Sequence, residues 1–141
     1  MNILKQLREA KGFTHSELAK VARISVESYY DLEQYDDELD RGVSVGEITR
    51  IAKELGVSPS VLFGGSSTGA ISTSDLASLV QQHVKLSGKV LAEFEDQIGY
   101  GVDKALADPE RFRDFDADGL RAVCGAIGVN WLDVLDHLER H

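Results

Sequence analysis

The side chains of this sequence with the clearest chemical capacity are carboxylates. Glu27 and Asp31 fall on the outward face of a short predicted helix that also offers Val26 and Tyr30, and Asp36, Asp37, Glu38 and Asp40 follow at once. A carboxylate can accept from the exocyclic amine of cytosine, although neighbouring phosphates repel it. The cluster lacks the glycine and closing glutamate of a calcium loop. The single cysteine, Cys124, rules out an internal disulfide and cannot build a thiol-rich metal site alone. His137 and His141 stand at helical spacing and are read as solvated, so neither a metal nor a cofactor is expected. Gly99 and Gly101 follow no strand and so cradle no phosphate. No local motif suggests a serine, histidine and carboxylate set, and no enzymatic activity is expected.

The elements that must position these residues are marked by caps and stops. Ile3, Leu4, Leu7 and Ala10 share one side of a helix that Gly12 ends. Thr14 with Glu17 forms a capping box that opens a second helix, carrying Leu18, Ala19 and Ala22 inward. A turn at Ala22-Arg23-Ile24 leads to Ser25, which caps a third helix with Tyr29 and Leu32 on its inner side. Gln34 to Gly42 reads as an acidic loop. Ser44 with Glu47 is a second capping box, starting a helix with Ile48, Ile51, Ala52 and Leu55 inside and Gly56 at its end. Ser58-Pro59 starts a fifth helix through Val61, Leu62 and Phe63. No segment shows strand alternation.

Residues 64–73 begin GGSSTGAIS and read as a linker between a first domain, 1–63, and a helical second one, 74–141. In the latter, Leu76, Val80, Val84, Leu91, Phe94, Ile98, Val102 and Ala105 recur at helical spacing. This predicts a long helix bent at Gly88, with a homodimer seam along residues 75–107; the alternative is an antiparallel helix pair broken at Gly88 and packed within the chain. The tail then repeats an earlier stretch. FDADGLRAVCGAIGVNWLDVL lies on VSVGEITRIAKELGVSPSVLF without gaps, each residue 72 further along, so that Ser44 meets Asp116, Ala52 meets Cys124 and Gly56 meets Gly128. A degenerate repeat and a chance likeness between two helix-glycine-helix units are both open. Either way Cys124 takes a small buried position, which suits a structural thiol.

The net charge of −9 is the reverse of what phosphate neutralisation favours, with residues 1–63 carrying less of the excess than the remainder. No apolar run approaches the roughly 20 residues needed to span a bilayer, and no signal-peptide pattern opens the sequence, so a cytoplasmic protein is expected.

Several motifs stand together in register: Leu7-Arg8 with Lys11-Gly12, Thr14 with Glu17-Leu18-Ala19, Ser25, Leu32-Glu33, and Leu55-Gly56-Val57. Over about 60 residues the chain resembles the lambda-repressor-like, Cro-type (XRE) helix-turn-helix family. The resemblance implies an all-α five-helix domain and an ion pair between Arg8 and Glu33. It also implies that Val26, Glu27, Ser28, Tyr30 and Asp31 face the bases of double-stranded DNA, with Lys5, Lys11, His15, Lys20, Arg23 and Arg41 toward its backbone. Two departures are plain: Arg23 replaces the usual turn glycine, and His15 the glutamine that often opens the second helix. The implied function is a DNA-binding transcriptional regulator. The alternative is a protein-interaction module that keeps the fold but presents its acidic third helix and loop to a protein partner.

Overall fold

The computed structural model describes residues 3–138, and His141 lies outside them. Helices α1 (Ile3–Lys11), α2 (His15–Ala22), α3 (Val26–Gln34), α4 (Glu38–Arg41) and α5 (Val45–Leu55) are followed by a 3₁₀ segment, Pro59–Phe63. Then come α6 (Thr73–Ser87), α7 (Leu91–Ile98), α8 (Asp103–Ala107), a second 3₁₀ segment, Pro109–Asp114, α9 (Ala117–Ala126) and α10 (Trp131–His137). The described residues are all-α, with one isolated antiparallel bridge between Ser44 and Asp116.

Local chemistry explains the boundaries. Both capping boxes form: Thr14 Oγ1 accepts from Glu17 N at 3.1 Å while Glu17 Oε1 accepts from Thr14 N, and Ser44 with Glu47 does the same. Each satisfies two amides that the first helical turn leaves without a partner. Inside, Leu4, Leu18, Tyr29, Leu32, Ile48, Ile51 and Leu55 are buried.

The structure corrects the sequence expectations at several points. The acidic loop contains one turn of helix, α4, because Leu39 turns inward and is buried. The long helix is divided into α6, α7 and α8. Gly88 and Gly99 adopt left-handed conformations that end α6 and α7, and the Glu95 carboxylate takes the amides of Val102 and Asp103 at 2.5 and 3.2 Å, bracing the break before α8. Gly99 and Gly101 thus lie in this break, outside the helices. The apolar stripe expected to form a dimer seam faces inward: Leu76, Val80, Phe94, Val102 and Ala105 are buried in the same continuous core as the residues of the first half. Leu86 and Val90, 79% and 62% exposed, remain outside. The Gly- and Ser-rich segment is bound down, its Thr68 and Gly69 amides donating to Asp133 Oδ1 at 2.7 and 3.0 Å.

Candidate nucleic-acid interface

Helix α3 is held from below and open above. Its N-terminus is fixed by Ser25, whose Oγ accepts from Ser28 N at 3.0 Å. Its inner side is anchored by Tyr29 and Leu32, and its last turn by Glu33. Arg8 Nε and Nη2 donate to the two carboxylate oxygens of Glu33 at 2.6 and 3.1 Å, and Arg8 Nη1 donates to the Phe13 carbonyl at 3.0 Å. This fork ties α1, the chain entering α2 and α3 into one rigid unit. Burial opposes the charge on Glu33, but the Arg8 hydrogen bonds, the adjacent Tyr29 hydroxyl and the charges of Arg8 and His15 outweigh it, holding its pKa below the ordinary value. The same pairing raises the Arg8 pKa. Burial first, and the nearby carboxylate second, push the Tyr29 hydroxyl well above its usual range.

The turn between α2 and α3 rests on Arg23, the one non-glycine residue at positive φ among the described residues, at 64°. Its amide closes α2 by donating to the Ala19 and Lys20 carbonyls. From α5, Arg50 Nη2 reaches the Ala22 carbonyl at 3.1 Å, fixing the turn against the core. A left-handed arginine is strained relative to glycine. Its side chain is exposed beside the start of α3.

Above this frame, Val26 and Tyr30 are 43% and 49% exposed, Glu27 and Ser28 are exposed, and Asp31 is half-buried. Lys5, Lys11 and Lys20 are exposed, and no ion pair engages them or Arg23 among the described residues. Two of the sequence-derived backbone candidates are otherwise occupied. His15 Nε2 lies 3.3 Å from Glu33 Oε1 with its ring against Tyr29 and Tyr30, so it also braces α3. Arg41 faces the second half, its Nε donating to Asp118 at 3.0 Å, while Arg121 from α9 bridges Asp40 and Asp118. Sequence spacing gave no sign of this network, whose partners lie 77 and 81 residues apart.

The electrostatics of the surface are uneven. Between Arg23 and Arg41 the chain has no lysine or arginine, and of its carboxylates there only Glu33 and Asp40 are paired with cations among the described residues. A cleft of about 680 Å³ lies elsewhere, between α5 and Pro109–Asp114, with Glu47, Arg50, Lys53, Glu110, Arg113 and Asp114 along it. Cys124 is buried, and burial pushes its thiol up to about 12, far from a nucleophile's range. No group of three or more metal-ligating side chains occurs among the described residues, and no helix there is long and apolar enough to cross a membrane.

The capped α2, the left-handed turn and the braced α3 form a helix-turn-helix, and the Helix-turn-helix family model matches residues 4–62. Those residues are a lambda-repressor-like helix-turn-helix domain. Comparison with curated proteins and with solved structures returned no match. Within the helix-turn-helix domain, α3 holds the place of the helix that enters the major groove in such folds. The second half packs chiefly on α4, α5 and Pro59–Phe63, away from the α2–α3 pair.

Proposed function

We propose that this protein binds double-stranded DNA through α2 and α3 and acts as a transcriptional regulator. The observation that carries this reading is the free outward row of α3, left in solvent while the second half packs elsewhere on the helix-turn-helix domain. Lys5, Lys11, Lys20 and Arg23 supply backbone contacts, and Val26, Glu27, Ser28, Tyr30 and Asp31 supply the groove surface. Within that surface Glu27 and Asp31 select cytosine amines at the cost of phosphate repulsion. Titration against the gene's own upstream DNA at several salt concentrations tests the reading, because phosphate contacts make affinity fall steeply as salt rises. Absence of binding even at low salt sinks it. Replacing Glu27 and Asp31 by glutamine and asparagine changes affinity or base preference if α3 enters the groove.

One observation favours a second reading. The surface from Val26 to Tyr35 joins exposed Val26, Tyr30 and Tyr35 to carboxylates with no cation among them, a surface suited to a basic protein partner. In that case the same two substitutions leave DNA binding unchanged and weaken the protein complex instead.

A further inference from the structure

We infer that residues 73–138 are a degenerate second copy of the helix-turn-helix domain, docked on the first about a pseudo-twofold axis between Ser44 and Asp116. A single chain then supplies the pair of units that self-association would otherwise bring together.

The closing helices keep one register at a separation of 72 in their cap and backbone hydrogen bonds, although the reciprocal Glu47 bond has no counterpart at Gly119. Ser44 Oγ caps Glu47 N at 3.1 Å, and Asp116 Oδ1 caps Gly119 N at 2.7 Å. Ile48 N donates to Ser44 O at 3.0 Å, as Leu120 N does to Asp116 O. Val57 N donates to Ala52 O at 3.0 Å, and Val129 N to Cys124 O at 2.9 Å. The glycines between them, Gly56 and Gly128, have φ of 73° and 75°. Ser58 and Asn130 then receive Val61 N and Asp133 N at 3.0 Å each. Burial follows: Ile48 and Leu120, Ile51 and Val123, Ala52 and Cys124 are all fully buried.

The likeness extends upstream, where a chance resemblance between two helix-glycine-helix units would not reach. Leu4 in α1 and Leu76 in α6 are 72 apart and both fully buried. Helix α6 then runs longer than α1, and from its end the separation is 76. Gly12 and Gly88 both have positive φ. Thr14 N donates to Glu17 Oε1 at the start of α2, and Val90 N to Glu93 Oε1 at the start of α7. Leu18 and Phe94 are buried, and Arg23 and Gly99 close the two helices in left-handed conformations. The added residues are recovered before Pro109–Asp114, which occupies the place of α4 ahead of α9.

The packing between halves has the symmetry of an isologous contact. An antiparallel bridge carries a local twofold axis, and this one pairs Ser44 with its own counterpart, Asp116. On one side of the axis α4 packs on α9, and on the other Pro109–Asp114 packs on α5. Each contact is the other with the copies exchanged, as twofold contacts require. Arg41 meets Asp118, and Arg113 lies on Gly46, whose added Cβ would sit 3.4 Å from the arginine Cβ. Both pairs are related by 72. Pro59–Phe63 packs on α10, its own counterpart.

The copy has lost its reader. Helix α8 has five residues where α3 has nine. Taken with the DNA-binding reading above, on which this consequence alone rests, one chain presents one reading helix and binds its site as a monomer.

The docking can be tested without DNA. In a Cys124→Ala background, Ser44→Cys with Asp116→Cys and Gly46→Cys with Arg113→Cys place thiols at the axis and at one flank; Cβ atoms opposite each other across a bridge come within reach of a disulfide. Oxidation at low micromolar concentration is expected to consume both thiols and leave the monomer mass on a non-reducing gel, in at least one pair. Cross-links between chains, or failure of both pairs, overturn the inference.

Discussion

Helices α2 and α3 in the first half and α7 and α8 in the second hold their neighbours by different physics. In the first, a buried fork between Arg8 and Glu33 fixes the end of a nine-residue α3 whose far face is left to solvent. In the second, the residue 72 beyond Arg8 is Val80, fully buried, and the five-residue α8 is carried by apolar burial of Val102 and Ala105. A buried ion pair rarely adds net stability over a well-packed apolar pair, because two charges must be desolvated to form it. Its value in the first half is therefore directional. It fixes the azimuth of a helix whose Val26, Glu27 and Tyr30 face solvent.

The largest expected effect breaks that contrast directly. Glu33→Ala leaves the Arg8 guanidinium buried without its partner and is expected to cost about 3–5 kcal/mol in chemical denaturation. Arg8→Met with Glu33→Leu, which makes the first half resemble the second, is expected to recover most of that loss while weakening whatever α3 binds. A double variant as unstable as the single one would show that the pair stabilises rather than orients. The pH dependence has a definite sign. The folded pKa of Glu33 lies below its unfolded value of about 4.3, so its contribution is fully present above that pH. That contribution is lost as pH falls through the depressed folded value, and Glu33→Gln is expected to flatten this part of the acid limb.

A second test addresses the contact between halves. Asp136 accepts the Ser60 amide and hydroxyl at 2.7 and 2.6 Å, whereas the residue 72 before it is Gly64, so this bond has no counterpart across the axis. Asp136→Ala is expected to cost about 1–3 kcal/mol by leaving the Ser60 donors unsatisfied. Unfolding should remain one transition, because the core is continuous across both halves. Two separated transitions in the variant would show that the halves fold independently.

Much of this frame was legible in the sequence, and the reasons differ by element. Capping boxes at Thr14 and Ser44 are read from residue types three apart, and the 72-residue register from side chains that repeat without gaps. The helix-turn-helix followed from motifs in local order. The interruption at Gly88 was legible from the glycine itself, but the break between Ile98 and Asp103 was not, since the apolar spacing continues smoothly through it. What divides the run is a left-handed Gly99 and a Glu95 carboxylate reaching seven and eight residues ahead. The capture of Arg41 by Asp118, and of the Gly- and Ser-rich segment by Asp133, depends on residues distant in sequence, and no local pattern announces either.

The smallest expected effects lie in the two turns. At Gly99, φ is 80° and an added Cβ would meet no atom within 4 Å, so Gly99→Ala isolates the conformational cost, about 1–2 kcal/mol. Arg23 already bears a cost of that kind at φ 64°. Arg23→Gly relieves it but enlarges the conformational freedom of the unfolded chain, an opposing effect of about 0.4–1 kcal/mol. The net change in thermal denaturation is therefore expected to stay within about 1 kcal/mol. The Arg23 side chain is exposed beside the start of α3. If that side chain neutralises a phosphate, Arg23→Gly weakens DNA binding evenly across sequences and lowers the salt slope by about 1. A slope unchanged by the substitution, with DNA still bound, would remove Arg23 from the interface while leaving α3 as the reader.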